Sequence, residues 1–218
     1  MPRSGFQLFR PNAVTSSVIC ASPHSGREYA WSFMRRSALS ELAIRSSEDA
    51  FVDKLIDQTP SFGAPLLVAT VPRAFVDLNR SADELDPALI DGVRKLGHNP
   101  RVASGLGVIP RVVANSRSIY RGKLSHIEAQ KRLNDYWHPY HTQLASLLHE
   151  ARHTFGKAVL LDFHSMPREA LEAVTGTRPE IVLGDRYGAS ASNEVVDQVE
   201  AAFANAGFKV ARNAPFAG

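Results

Sequence analysis

Short apolar runs alternate with amphipathic stretches along this chain. "SSVICA" is apolar through Cys20 and halts at Ser22-Pro23, which predicts a short buried strand. "SSEDAFVDKLIDQ" reads as a helix capped by Ser46 or Ser47, with Glu48 and Asp49 in its first turn, where the helix dipole favours acids. "APLLVATVPRAFVDLNR" reads as two strands broken near Pro72. "NPRVASGLGVIPRVV" is rich in Gly and Pro and reads as a loop. "LSHIEAQKRLNDYWHPYHTQLASLLHEARHTF" is a long helical stretch with a kink expected at Pro139. "KAVLLDFHS" and "EIVLGD" read as strands, "SASNEVVDQVEAAFANAG" as a helix closed by Gly207, and "FKVARN" as a last strand. Strands that alternate with helices predict an α/β protein with a mixed, mainly parallel central sheet.

Composition narrows this little. With 218 residues, 44% of them hydrophobic and 22% charged, the chain can bury a sizeable core. The net charge of +3 is scattered, with no basic run interleaved with aromatics, so a nucleic-acid partner is not expected. No apolar stretch approaches the length of a membrane span, and no signal pattern opens the chain. The single Cys20 cannot form an internal disulfide; it reads as a buried inert thiol in a cytoplasmic protein.

Two stretches compete for a metal. "HEARH", His149 to His153, spells H-E-x-x-H. At helical spacing, however, Leu144, Leu147, Leu148, Ala151 and Phe155 form the core-facing stripe, and His149 and His153 fall opposite it. Val159 stands where a further ligand of one protease pattern would be, and Gly156 is explained as a helix stop. The solvated-face reading is therefore preferred. His24 in "SPHSG" and His164 in "LLDFHS" each follow a buried strand directly, and ligands gather beyond the carboxyl ends of such strands. The pair predicts a metal site. In "RAFVDLNR", strand alternation would put Arg73, Phe75, Asp77 and Asn79 on one side, with Asn79 and Arg80 able to hold a carboxylate. Pairing of Arg80 with Asp77 or Asp83 is the equally weighted structural alternative.

The segments "SPHSG", "EDAFVD", "PRAFVDLNR", "ELDP", "LLDFHSMP", "IVLGDRYG" and "NAPFAG", in that order, resemble the N-formylglutamate amidohydrolase family. That family is similar to zinc carboxypeptidases and aspartoacylases. The resemblance implies a phosphorylase/hydrolase-like three-layer α/β/α fold and a single zinc-hydrolase domain over residues 1–218. It implies that His24 and His164 bind Zn2+, that Asn79 and Arg80 hold the substrate carboxylate, and that Arg73 polarises the scissile carbonyl. The acidic ligand stays open between Asp49, Asp53 and Glu28, with the two aspartates favoured. Arg111 and Arg186 are further carboxylate candidates, and Gly105 and Gly107 are expected to let "SGLGVIPR" close over a substrate. The resemblance also implies a catalytic Glu from a strand after "NAPFAG"; the sequence ends at Gly218, so that strand region is expected to be lacking, and Glu169, Glu172 and Glu180 match no such motif.

The implied reaction releases formate from N-formyl-L-glutamate, a small N-acyl acidic amino acid, within histidine degradation. Two alternatives stand beside it: another N-acyl amino acid hydrolase or carboxypeptidase-like enzyme, and a non-enzymatic anion-binding domain.

Overall fold

The computed structural model describes residues 4–94, 99–171 and 178–218, so Glu172 lies outside the described residues. The chain divides into two compact units, Met1–Ser165 and Met166–Gly218. The first contains strands β1 (Phe6–Phe9) and β2 (Val18–Ser22), helices α1 (Trp31–Arg36), α2 (Glu41–Ile44) and α3 (Val52–Leu55), and strand β3 (Leu66–Ala69). Helix α4 (Pro100–Ala103) and the small strand pair β4 (Val112–Val113) and β5 (Arg117–Ser118) follow. The unit closes with α5 (His126–Arg132), a π turn (Leu133–Trp137), α6 (His138–Phe155) and β6 (Val159–Asp162). The second unit holds a parallel pair, β7 (Ile181–Leu183) and β8 (Val210–Arg212), joined through α7 (Asn193–Asn205).

Four strands make the main sheet in the order β1-β3-β2-β6. The β2 strand pairs parallel with both β3 and β6, whereas β1 runs antiparallel along β3. The sheet is thus mixed and mainly parallel. Its inner strands are continuous apolar runs because both faces are covered. On one face Ile19, Leu67 and Ala69 pack with Phe33, Tyr140, Leu147 and Ala151; on the other Cys20, Leu66 and Val68 pack with Ile56, Leu161 and Phe163. Cys20 is buried, as expected, and burial pushes its thiol pKa up. Among the described residues no helix is long and apolar enough to cross a membrane.

Several expected elements differ. "SSEDAFVDKLIDQ" is not one helix. A 3₁₀ turn ends at Ser47, Glu48 is extended, and Phe51 adopts a left-handed backbone (φ 66°) before the four-residue α3 begins. Asp49 therefore sits in a loop and not in a helical first turn. "PRAFVDLNR" is a series of turns, so the alternation expected for a strand does not apply there. The edge strand β1 was not expected from the sequence. At Pro139 the ladder is adjusted by the preceding π turn. "SGLGVIPR" is not free to close: Val108 and Ile109 are fully buried, and a Cβ on Gly107 would stand 2.3 Å from the Glu84 carbonyl oxygen.

Candidate metal centre

The register of the main sheet brings the site together. Ala21 of β2 lies opposite Asp162 of β6 in a parallel pair. Neighbouring parallel strands end side by side, about 5 Å apart, so the residues that follow them meet. His24 and His164 accordingly lie with ring centroids 4.7 Å apart. Asp49 joins them because its N–H donates to the His24 carbonyl at 3.0 Å. His24, Asp49 and His164 each present a ligand-type atom, all within 4.8 Å of one another. Of the three, His24 and Asp49 are buried and His164 is on the open side.

Each ring is backed by a carboxylate. His24 Nε2 lies 2.7 Å from Asp77 Oδ1. A carboxylate accepts only, so Nε2 carries the hydrogen and Nδ1 the lone pair. That Nδ1 is buried and has no hydrogen-bond partner; the closest Asp49 oxygen is 3.6 Å away. His164 donates from Nδ1 to Asp49 Oδ2 at 2.8 Å and from Nε2 to Asp162 Oδ2 at 3.0 Å. Burial would push His164 down, but Asp162 and Asp49 outweigh it and raise its pKa to about 9. The opposite balance holds for Asp49: burial pushes it up, and the two imidazoles overcome that and keep it well below the usual carboxylate range. Ser165 Oγ donates to Asp49 Oδ1 at 3.1 Å and fixes the carboxylate's orientation.

An orphaned, buried imidazole nitrogen beside a carboxylate and a second imidazole fits a cation. Two histidines with one acid and an open side are a donor set used by catalytic zinc sites, and carboxylates behind metal-binding histidines set ring orientation.

The other expected residues are placed as follows. Asp53 does not join the group: both its oxygens take hydrogen bonds from Arg27 at 2.8 Å. Glu28 also lies outside it. Arg73 donates from Nε to Asp77 Oδ2 at 2.9 Å, which answers which cation Asp77 holds. Arg80 is 3.7 Å from Glu84, and burial together with neighbouring Arg101 lowers its pKa. The Asn79 amide lies 3.2 Å from His164 Nε2, beside the candidate metal centre. Arg111 is engaged with buried Asp86 at 2.8 Å, and Arg186 sits on a left-handed backbone in the second unit. The H-E-x-x-H stretch is a surface feature: Leu147 and Ala151 are buried, His149 and His153 are exposed, and Glu150 pairs with Arg10.

Asp77 was not expected as the partner of His24. It is buried and takes hydrogen bonds from His24, Arg73 and the Asn79 N–H. Burial raises its pKa, but the contacts with His24 and Arg73 overcome this and keep it far below the usual carboxylate range. The available signal was its place two residues before Asn79, given that a metal-binding His needs a carboxylate behind it.

Gly26 makes the His24 loop possible. A Cβ there would stand 1.9 Å from the Val71 carbonyl oxygen. Gly26→Ala is therefore expected to displace the loop, cost about 1–3 kcal/mol of stability and weaken metal binding. Denaturant unfolding and a chelator competition check both; unchanged values would contradict this role.

Two converging histidines, each backed by a carboxylate, at the carboxyl ends of parallel strands, define an α/β protein with a candidate metal centre. The chain belongs to the N-formylglutamate amidohydrolase family, whose model matches residues 16–218. It is 27% identical over 205 residues to N-formylglutamate deformylase of Pseudomonas aeruginosa, covering 92% of this chain and 71% of that protein. The Pseudomonas putida N-formylglutamate deformylase is 26% identical, with the same coverages. The crystal structure of N-formylglutamate amidohydrolase from Ralstonia eutropha superposes with a TM-score of 0.91 at 35% identity, over 99% of this chain and 78% of that one. A solved protein of Agrobacterium tumefaciens shares the fold, with a TM-score of 0.63 at 16% identity over 98% of this chain and 74% of that chain.

Proposed function

We propose that this protein is a zinc-dependent amidohydrolase that cleaves N-formyl-L-glutamate to formate and L-glutamate, within histidine degradation. The scaffold we assign is the phosphorylase/hydrolase-like three-layer α/β/α type, with residues 1–218 acting as one zinc-hydrolase domain. The observation that carries the reading is the buried, unpartnered Nδ1 of His24 beside Asp49 and His164. Family membership and the relatives' names support the substrate.

In this reading His24, Asp49 and His164 hold the zinc, and Asp53 and Glu28 do not. When bound there, zinc supplies Lewis acidity, which acidifies water and polarises a carbonyl oxygen. The chain's own residues do the rest. Arg80, with Asn79 beside it, takes the carboxylate of the substrate and selects an acidic amino acid. Arg73 is fixed through Nε by Asp77, which leaves its outer nitrogens to stabilise the oxygen that gains negative charge as water adds to the formyl carbon. The amide C–N bond then breaks, the water oxygen leaves in formate, and the glutamate nitrogen takes a proton. Asp77 and Asp162 keep the two imidazoles oriented throughout.

Formate release from N-formylglutamate, measured with and without a chelator, tests the reading. Zinc-dependent release supports it. Release from a different N-acyl amino acid alone would move the substrate assignment, and release that survives chelation would overturn the metal assignment.

The raised pKa of His164 adds a pH dependence. In the metal-free chain this ring holds hydrogens on both nitrogens below about pH 9, and one must leave before the nitrogen can bind a cation. Apparent zinc affinity is expected to rise by about tenfold per pH unit from neutrality and to level off above that pKa. Calorimetry in buffers of different ionisation enthalpy reads the released proton. A flat profile between pH 7 and 9 would count against the assignment of His164.

A further inference from the structure

The segment from Pro72 to Arg80 carries Arg73, Asp77, Asn79 and Arg80, yet it lies in no strand or helix. Its carbonyls have no ladder partners and must find donors elsewhere. Three of them find side chains on one helical rod. Arg132 Nη1 donates to the Phe75 carbonyl at 3.0 Å, His141 Nε2 to the Leu78 carbonyl at 2.9 Å, and Trp137 Nε1 to the Arg80 carbonyl at 2.8 Å. A carbonyl only accepts, so His141 carries its hydrogen on Nε2. Burial, the largest influence on this ring, lowers its pKa and favours the neutral form.

The rod can reach all three carbonyls because of its π turn. In a regular α-helix, a residue five positions on points about 140° away. The π turn spans Leu133 to Trp137, and its i to i+5 repeat returns Trp137 to the side of Arg132. His141 follows one ordinary turn later. The contacts are reinforced by ring packing. Trp137 and His141 lie with centroids 3.9 Å apart at 31°, and the Arg132 guanidinium sits 4.1 Å above the Phe75 ring. Arg132 is itself held by Tyr120 at 2.6 Å and Glu128 at 2.5 Å.

We propose that Trp137 and His141, with Arg132 behind them, are positioning residues: they fix the main chain on either side of Asn79 and so set where Asn79 and Arg80 hold the substrate carboxylate. This rests on the substrate reading above. The two ring N–H groups grip the carbonyls of Leu78 and Arg80, which bracket Asn79. Loosening either one displaces the carboxylate clamp while leaving His24, Asp49 and His164 in place.

Trp137→Phe keeps a ring and removes the donor; His141→Leu removes the donor at Leu78, and His141→Gln keeps one. The KM for N-formylglutamate is expected to rise about tenfold in Trp137→Phe and His141→Leu, with kcat within about threefold and zinc content unchanged. His141→Gln is expected to restore KM to within about threefold of wild type. A role in folding alone would lower the thermal midpoint and leave KM as it was, and that result overturns the proposal. Amide exchange provides an arm that needs no turnover. Peptides covering residues 72–80 are expected to exchange about tenfold faster in Trp137→Phe than in wild type, relative to the rest of the chain; equal exchange also overturns it. If wild type releases no formate, the substrate reading has failed, and the exchange rates alone decide the positioning claim.

Discussion

Alanine at His24 is expected to abolish stoichiometric zinc and formate release together. This ring supplies a nitrogen that is buried and has no other partner, so no neighbouring group can replace it. Two donors would remain where the site offers three. The fall in apparent zinc affinity should be at least about a thousandfold, beyond the 10–100-fold typical of substitutions behind the ligands. His149→Ala provides the contrast. That ring is exposed on α6, opposite the buried stripe, and its loss should change neither zinc content nor rate by more than about twofold. The reverse pattern, loss at His149 and none at His24, would move the metal to the H-E-x-x-H stretch. Inductively coupled plasma spectrometry on purified variants reads the first quantity, and a formate assay reads the second.

Asp77→Ala should have the next largest effect, on two properties at once. The carboxylate is buried and is shared by His24, Arg73 and the Asn79 N–H. Removing it frees the His24 ring to rotate, which should weaken zinc binding by about 10–100-fold. It also leaves a partly buried guanidinium without its partner, and breaking a buried charge pair from one side costs about 3–5 kcal/mol. Arg73 is more than a quarter exposed, so the lower end of that range is expected. Asp77→Asn preserves the volume and separates the two effects. Asp83→Ala, at an exposed acid in the same stretch, should do neither. Wild-type zinc affinity in Asp77→Ala would show that the 2.7 Å contact to His24 does not orient a ligand.

The parts of the fold legible in the sequence were those set by local pattern. The inner strands β2 and β3 are uninterrupted apolar runs because each is buried on both faces. The edge strand β6 is apolar through Leu161 although half of it is exposed, and histidines placed just after β2 and β6 pointed to the site. The H-E-x-x-H stretch could be set aside from the helical stripe of leucines together with Val159 at the further ligand position and Gly156 as a helix stop. What escaped was set by distant partners. "SSEDAFVDKLIDQ" carries good helix signals, but Phe51 takes a left-handed backbone with no glycine to announce it. That break leaves Asp49 in a loop reaching His24, and leaves Asp53 for Arg27. Choosing between the two aspartates therefore required the fold. "PRAFVDLNR" alternates like a strand, yet its carbonyls are satisfied by side chains from a helix some sixty residues further along. No local pattern encodes that. Asp77 stands two residues before Asn79 in the same segment, but its grip on His24 spans 53 residues and appears only in three dimensions.

Anomalous diffraction at the zinc edge, from crystals of the purified protein, tests the central claim most directly. One peak per chain is predicted, within about 2.0–2.2 Å of His24 Nδ1, a His164 nitrogen and an Asp49 oxygen. A peak at His149 and His153, or no peak from protein shown to release formate, would contradict it.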